Sequence, residues 1–295
     1  MKILVITKRT LIIAAAALAL VLAAVIFLCV RPKAKETTAK LPKPTAAPVS
    51  NELSPVNARA ESASNLLSSD DEYEIEVLAG MRKELPVYSV ERSDGKIALT
   101  IDAAWDDDKT PFILETLERY NVKATFFLCG FWAEAYPDAV KAIARAGHTI
   151  GNHTMTHPHM SKLGETQMKE EIEKLDDLIE RITGERTRLF RAPYGEYNDR
   201  VIHTVRETGH EPIQWDIDTV DWKPERSSQT ILDSVLSKLH DGAVILCHNN
   251  GFKIEEYLPT LIQTAQARGF TFVTVDELLL SGETVIDVNG VQKQK

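Results

Sequence analysis

The sequence predicts an α/β fold of the distorted (β/α)7-barrel type, preceded by an N-terminal transmembrane helix and a flexible stalk. From about residue 90 onward, short apolar β-rich runs alternate with helical patterns. This alternation is typical of parallel strands that are covered by helices. Seven or so such units suit a barrel better than an open sheet. No glycine-rich phosphate loop follows any strand, which disfavours a nucleotide-binding fold.

Each predicted element rests on its own local pattern. Apolar β-branched and aromatic runs indicate strands, and apolar residues at helical spacing, with proline near a start or glycine at an end, indicate helices. In chain order these elements are strand 96–102, helix 111–121, strand 123–130, helix 137–147, strand 148–150, helix 167–184, strand 188–191, helix 199–209, strand 212–218, helix 228–240, strand 242–248, helix 254–268 and a closing segment 270–278.

The N-terminal region predicts a membrane anchor. Residues 11–30 are apolar and uncharged, which is long enough to cross a hydrocarbon core of roughly 30 Å as a helix. A cleaved signal peptide is the alternative, but its apolar core is usually only about 7–15 residues long and ends at a small-residue cleavage site. We expect residues 1–10 to be a short cytoplasmic N-terminus and residues 11–30 a single-pass anchor in the cell membrane.

The rest of the chain divides into three parts. Residues 31–90 are expected to form a flexible linker and lead-in segment, because the first part is rich in Lys, Pro, Ala, Thr and Ser and lacks apolar periodicity. Residues 91–282 carry the predicted globular domain, which the simplest arrangement places on the extracytoplasmic side. Residues 283–295 are a C-terminal tail.

Charge and cysteine content exclude some functions. Residues 1–60 hold nine Lys/Arg against two Asp/Glu, whereas the remainder holds 25 against 41. An acidic globular part argues against a nucleic-acid partner, since phosphate binding needs a basic face. The three cysteines lie far apart in the sequence, and we predict neither a disulfide framework nor a cysteine metal site.

Polar, titratable residues follow five of the predicted strands. In a β/α barrel the active site lies at the C-terminal ends of the strands, so these residues are expected to meet at one edge. Taken strand by strand, they are Asp102, the pair His153 and His157, Arg191 with Tyr194, the group Asp218, Asp221 and Trp222, and His248.

The histidine pair suggests a metal site. On a helical turn, a spacing of four residues puts His153 and His157 on one face, as metal ligation by two imidazoles requires. An isolated H-x-x-x-H is a weak motif, but here the pair follows a strand and is expected to face Asp102 and His248. Zinc suits imidazole and carboxylate ligands.

These motifs resemble those of the polysaccharide deacetylases with a NodB-homology domain, carbohydrate esterase family 4, over about residues 94–280. "TIDAAW" stands where the family has T-F-D-D, "HTMTHP" matches H-[ST]-x-x-H-P, and "RAPY" matches R-x-P-[FY]. "DTVDW" matches the Asp-Trp motif, and "LCH" matches L-x-H. The sequence is most similar to the sporulation-associated branch of the family.

The resemblance implies a role for each matching residue. Asp102 would be the general base toward metal-bound water, held by Arg191, and His248 the general acid, oriented by Asp221. The other implied roles are metal ligation by His153 and His157, oxyanion stabilisation by the backbone N–H of Tyr194, and a pocket for the acetyl methyl walled by Trp222 and Leu246.

One position departs from the family pattern. The residue after the base is often a second aspartate and the third metal ligand, but here it is Ala103. One of Asp106, Asp107 and Asp108 could replace that ligand, two histidines and waters could hold the metal, or the domain could have lost catalysis and bind glycan only. A simpler interpretation of the three aspartates is a solvated loop and helix N-cap before Pro111.

The sequence thus predicts a membrane-tethered, zinc-dependent deacetylase of N-acetylated cell-wall glycan, with peptidoglycan as the expected partner. A non-catalytic glycan-binding domain and an amidohydrolase of a small non-sugar amide are the alternatives. Trp105, which follows the first motif, could stack on a sugar ring or belong to the core or rim.

Overall fold

The computed structural model describes residues 84–295. The predicted cytoplasmic N-terminus, the anchor at 11–30 and most of the linker at 31–90 lie outside these residues. Within the described range, no helix is both long and apolar enough to cross a membrane.

The described chain alternates strands and helices from residue 89 onward. The strands are β1 Ser89–Val90, β2 Lys96–Ala103, β3 Thr125–Leu128, β4 Thr149–Asn152, β5 Leu189–Phe190, β6 Glu211–Pro212, β7 Ile217–Asp218, β8 Val244–His248, β9 Thr271–Val273, β10 Thr284–Ile286 and β11 Val291–Gln294. The α-helices are α1 Thr110–Arg119, α2 Gly130–Ala135, α3 Pro137–Arg145, α4 Glu165–Thr183, α5 Asp199–Glu207, α6 Ser228–Leu236, α7 Ile254–Ala267 and α8 Val275–Leu278.

The central sheet is parallel and curled, in the order β6-β5-β4-β3-β2-β8-β7, with β9 also paired to the start of β2. This arrangement agrees with the predicted distorted barrel, although β6 and β7 do not pair with each other. The predicted strand 212–218 is in fact two short strands, Glu211–Pro212 beside β5 and Ile217–Asp218 beside β8. The chain between them passes from one edge of the sheet to the other.

The lead-in segment fills the gap between those edges. The Val87 N–H donates to the Pro212 carbonyl, the Gln214 N–H donates to the Val87 carbonyl, and the Val90 N–H donates to the Gly242 carbonyl. The segment assigned to the C-terminal tail forms the antiparallel pair β10–β11, and β11 pairs with β1. The two ends of the described chain therefore bind each other as well as the domain.

Strand β2 shows how the sequence builds the two faces of the sheet. Ile97, Leu99 and Ile101 alternate along it and are fully buried in the layer beneath the helices. Thr100 and Asp102 project to the opposite, concave face, because successive strand residues point to opposite sides. The strand that carries this apolar face therefore also delivers a carboxylate to the concave face of the sheet.

Two short helices were not predicted. Helix α2 follows β3 directly, where the pattern indicated only a strand ending at Gly130. Helix α8 follows β9, because Thr274 and Glu277 form a capping box that starts a helix within the predicted closing segment. Helix α6 ends at Leu236 rather than at 240.

Candidate active site

A cavity of about 500 Å³ lies at the C-terminal ends of the strands. Seven of the nine residues assigned to the site from the sequence line it, and the other two, Asp221 and Arg191, are buried behind it. The lining residues are Asp102, Ala104, Trp105, His153, His157, Tyr194, Gly195, Trp215, Asp218, Trp222, Leu246, His248 and Asn250. The cavity therefore lies where parallel strands present their polar ends, as expected for this class of fold.

Asp102 and Arg191 form a buried ion pair behind the cavity. Arg191 Nη1 donates to Asp102 Oδ1 over 2.7 Å and to Thr100 Oγ1 over 2.9 Å, and Nη2 donates to the Gln214 carbonyl over 3.1 Å. The guanidinium also lies 4.1 Å above the ring of Phe127. Arg191 is fully buried, and these contacts fix the orientation of its guanidinium through both terminal nitrogens.

This ion pair controls the ionisation of the carboxyl. Burial opposes the charged form of Asp102, but the positive charge of Arg191 and the nearby imidazoles His153 and His248 outweigh it, so the pKa of Asp102 is lowered. The carboxylate is thus ionised at neutral pH and can accept a proton.

The two histidines come together through a turn, which corrects the predicted helical geometry. Thr154 and His157 have φ of 68° and 57°, in the left-handed region. The Asn152 side chain accepts the Thr154 N–H, and the Thr154 hydroxyl accepts the His157 N–H. The ring centroids of His153 and His157 are 5.0 Å apart, so the four-residue spacing brings them together by a different route.

The imidazoles are in the form that could bind a metal. His153 Nδ1–H donates to the Arg191 carbonyl over 2.8 Å, which leaves the Nε2 lone pair free, 3.7 Å from Asp102 Oδ2. Burial lowers the pKa of His153, and burial together with His153 lowers that of His157 to about 4. Two unprotonated imidazoles with a carboxylate nearby fit a divalent cation, because ligation requires neutral histidine.

Position 103 adds no third ligand to the two histidines. Ala103 is fully buried in the apolar layer and does not line the cavity, unlike its neighbours Asp102 and Ala104. Asp106, Asp107 and Asp108 line a separate surface depression with Tyr136. In the described range, no three His, Cys, Asp or Glu side chains form a metal-binding group.

The aspartate loop also differs from the simpler prediction of an N-cap. Helix α1 begins after Lys109, and none of the aspartate side chains caps it. Backbone carbonyls make the contacts instead. The Asp107 carbonyl accepts the Thr110 N–H, and the Asp106 carbonyl accepts hydrogen bonds from the Trp132 and Asn249 side chains.

On the other side of the cavity, His248 pairs with the fully buried Asp221. His248 Nδ1–H donates to Asp221 Oδ1 over 2.8 Å, so Nε2 is the ring nitrogen left for chemistry. Asp221 Oδ2 accepts from the His248 N–H and, over 2.6 Å, from the Tyr257 hydroxyl. Position 251 must be glycine, because a Cβ there would lie 2.1 Å from Asp221 Oδ2.

The surroundings of His248 favour its protonated form. Burial alone would lower its pKa, but the hydrogen bond and charge of Asp221, with the charges of Asp102 and Asp218, raise it above the ordinary value. Asp102 and His248 are register partners on the adjacent strands β2 and β8. A group suited to accept a proton and a group suited to donate one are therefore neighbours across two strands.

Aromatic rings surround the mouth of the cavity. Tyr194 has φ of 60°, and its ring lies between His157, at 4.6 Å, and His159, stacked at 4.4 Å. His159 is partly exposed and hydrogen-bonded to Glu196. Trp222 is half exposed, whereas Leu246 is buried at the cavity wall.

Some supporting residues were missed by the sequence analysis. Thr100 could have been found, because it lies two residues before Asp102 on the same face of β2. Tyr257 could not, because it lies in the apolar pattern of a helix 36 residues after Asp221. Asp218, which the sequence placed at a strand end with Asp221 and Trp222, accepts the Val220 N–H and lines the cavity.

Comparison with known proteins identifies the family. The polysaccharide deacetylase family model matches residues 89–213. The chain is 35% identical over 216 residues to a peptidoglycan-N-acetylglucosamine deacetylase of Bacillus cereus, a match that covers 72% of this chain and 78% of that protein. The chain belongs to the polysaccharide deacetylase family. Its scaffold is thus that of a carbohydrate deacetylase, a hydrolase of carbon–nitrogen bonds.

Solved structures of this family include enzymes and pseudoenzymes. A CE4 family pseudoenzyme from Bacillus anthracis is 33% identical, with a TM-score of 0.63 over 65% of this chain and 68% of that chain. A mutant of that pseudoenzyme, described as having restored enzymatic activity, is 34% identical, with a TM-score of 0.63 over 65% of this chain and 70% of that one. Family membership alone therefore does not decide whether a chain turns over substrate.

Proposed function

We propose that this chain is a hydrolase that removes N-acetyl groups from cell-wall glycan, with the amino sugars of peptidoglycan as substrate. One observation carries the proposal: Asp102 and His248 are cross-strand neighbours at one cavity, and each is held by its own buried partner. Amide hydrolysis needs a base to activate water and an acid to protonate the leaving amine. The named activity of the Bacillus cereus relative supports the choice of substrate.

The roles follow from the charge and contacts of each group. Asp102 accepts a proton from the attacking water, and Arg191 keeps it ionised and oriented. His248 donates a proton to the leaving amine, while Asp221 fixes the ring and favours the charged form. In this proposal the backbone N–H of Tyr194 donates to the carbonyl oxygen as negative charge develops there.

The substrate acetyl group has a defined place in this scheme. Its methyl contacts Trp222 and Leu246, which contribute apolar surface to the cavity. The side chains of Tyr194 and Trp222, 56% and 53% exposed at the mouth, favour an extended sugar polymer over a small amide, because a small amide is usually enclosed.

A divalent metal, Zn²⁺ in this proposal, is held by His153 and His157. When bound, it supplies Lewis acidity to the reaction. Zinc suits imidazole ligands, and both rings are available in the neutral form. With Ala103 in place of a carboxylate, we expect weak binding and a requirement for added metal.

The second candidate is a glycan-binding protein without turnover. Ala103 favours it, because the position offers a methyl group where a metal ligand stands in much of the family. The similarity to a Bacillus anthracis pseudoenzyme points the same way. In either case, the anchor expected at residues 11–30 would hold the domain outside the membrane, beside the cell wall.

Acetate release tests the proposal against the second candidate. The full chain, with and without added zinc, is incubated with peptidoglycan and with the tetramer of N-acetylglucosamine, and its zinc content is measured. We expect zinc-dependent acetate release that stops with a chelator and in Asp102→Asn. Binding of the tetramer without acetate release at any zinc concentration would overturn the proposal and favour the glycan-binding protein.

A further inference from the structure

Two exposed aromatic rings extend from the cavity onto the surface. Trp105 is 50% exposed and Phe131 is 36% exposed, and their ring centroids are 6.2 Å apart. We refer to these two residues as the aromatic platform. Trp105 also lines the cavity, with its ring 4.9 Å from that of His157. The platform therefore begins at the histidine pair and continues outward. None of the roles assigned above uses it.

The backbone holds both platform residues in place. Phe131 lies in the first turn of α2, where its N–H donates to the Met155 carbonyl and the Gly130 N–H donates to the Thr154 carbonyl. Helix α2 is thus attached to the turn that carries both histidines. Exposed apolar surface that is continuous with a cavity is suited to ligand contact.

The position of Trp105 is fixed by the residue after it. Asp106 has φ of 54°, and its carbonyl accepts from Trp132 Nε1 over 2.6 Å and from Asn249 Nδ2 over 2.7 Å. These bonds hold the end of β2 where it leaves the sheet. A ligand that stacks on Trp105 would therefore meet a surface that is already ordered, and little conformational freedom would be lost on binding.

We propose that the aromatic platform is a second sugar subsite, which binds the residue of the glycan chain next to the one whose N-acetyl group enters the cavity. This inference rests on the proposed function in taking glycan as the ligand. A pyranose ring presents C–H groups on its faces, and these meet the negative faces of aromatic rings favourably. The three aspartates that directly follow Trp105 disfavour an anionic occupant such as a phosphate.

The subsite makes the length of the ligand matter. A single N-acetylglucosamine can fill the cavity alone, whereas a longer oligomer reaches both the cavity and the platform. We therefore expect the tetramer to bind the full chain more tightly than the monomer. We expect Trp105→Ala to weaken tetramer binding about 3- to 10-fold and Phe131→Ala by less. Monomer binding should fall by less than tetramer binding in Trp105→Ala, whose ring also lines the cavity, and should be unchanged in Phe131→Ala. Trp105→Phe should retain part of the difference in affinity between the tetramer and the monomer.

Calorimetric titration of the full chain and its variants with the monomer and the tetramer provides the test. Phe252→Ala is the matched control, because Phe252 is 54% exposed but does not line the cavity. Its tetramer affinity should stay within about twofold of the parent's. Thermal unfolding of each variant checks that the half-exposed substitutions leave the fold intact.

The outcomes separate this inference from the proposed function. Equal affinities of the parent for monomer and tetramer, or equal losses in Trp105→Ala and Phe252→Ala, would overturn the subsite. Tetramer binding that depends on Trp105 without any acetate release would leave the subsite standing and overturn the hydrolase. Acetate release at the same rate from Trp105→Ala and parent, with unchanged tetramer affinity, would overturn the subsite and leave the hydrolase standing.

Discussion

The proton-transfer groups and the histidine pair lie at the same cavity, but they differ in how completely they are supported. Asp102 is paired with the fully buried Arg191, and His248 is paired with the fully buried Asp221. Every oxygen of Asp221 accepts a hydrogen bond. The groups expected to move protons thus have defined charges and orientations.

The histidine pair has less support. His153 is fixed by the Arg191 carbonyl, whereas the ring of His157 contacts mainly other aromatic rings, among them Trp105 and Tyr194. Position 103 contributes only a buried methyl group. The comparison teaches that position 103 offers no ligand to the proposed metal site, whereas the proton-transfer groups keep their buried partners. Substitutions at the proton-transfer groups and at the histidine pair should therefore have different effects.

The largest effect is expected at Arg191. Arg191→Met leaves the Asp102 carboxylate buried without its partner, which should lower the free energy of unfolding by about 3–5 kcal/mol. Urea denaturation of the full chain measures the loss. Arg119→Met is the control, because Arg119 pairs only with the exposed Glu115 and should cost at most about 1 kcal/mol.

A double variant strengthens this test. Adding Asp102→Asn to Arg191→Met removes the unpaired charge and should restore part of the lost stability. If Arg191→Met destabilised the chain no more than Arg119→Met, the Asp102–Arg191 ion pair would not support the cavity in the way proposed.

The residues at the strand ends could be predicted because parallel strands bring their C-terminal ends to one edge. That rule leads directly to Asp102, Arg191 and His248, and the motif spacing adds the histidine pair. The turn between His153 and His157 could not be predicted, since a spacing of four also fits a helix. It depends on the Asn152 and Thr154 side chains, whose bonds form only within the fold.

The fold likewise contains strands that the sequence predicts and strands that it does not. The apolar runs of β2, β3 and β8 predict strands from the sequence alone, because each strand is buried on both faces and is therefore continuously apolar. The two-residue strands carry too little pattern, and their pairing depends on distant partners. The joining of the lead-in to β11 is the clearest case, since Ser89 pairs with Val291 across the whole domain.

Asp221→Asn tests the general-acid side directly. His248 must be protonated to donate a proton, and the Asp221 carboxylate helps to raise its pKa above the ordinary value of about 6.5. Without that charge the pKa of His248 should fall, and the alkaline limb of acetate release should move to lower pH. We expect release near neutral pH to fall about 100-fold.

An NMR titration of the His248 ring gives a reading that does not require turnover. It should show the lower pKa in Asp221→Asn and the parental value in Asp233→Asn, whose aspartate lies on an exposed helix face. An unchanged His248 pKa in Asp221→Asn would mean that the pair does not control proton donation.

The smallest effect, and the one that bears most directly on the histidine pair, is expected from Ala103→Asp. The new carboxylate would lie in a buried apolar layer, so without metal the variant should be less stable than the parent. Zinc at the neighbouring histidines would offset that charge, and we expect the zinc affinity to rise about tenfold, or about 1.4 kcal/mol. Ala103→Asn has the same size without the charge. If zinc raised the melting temperature of the Asp and Asn variants equally, position 103 would not face the metal, and the weak support of the histidine pair would need another cause.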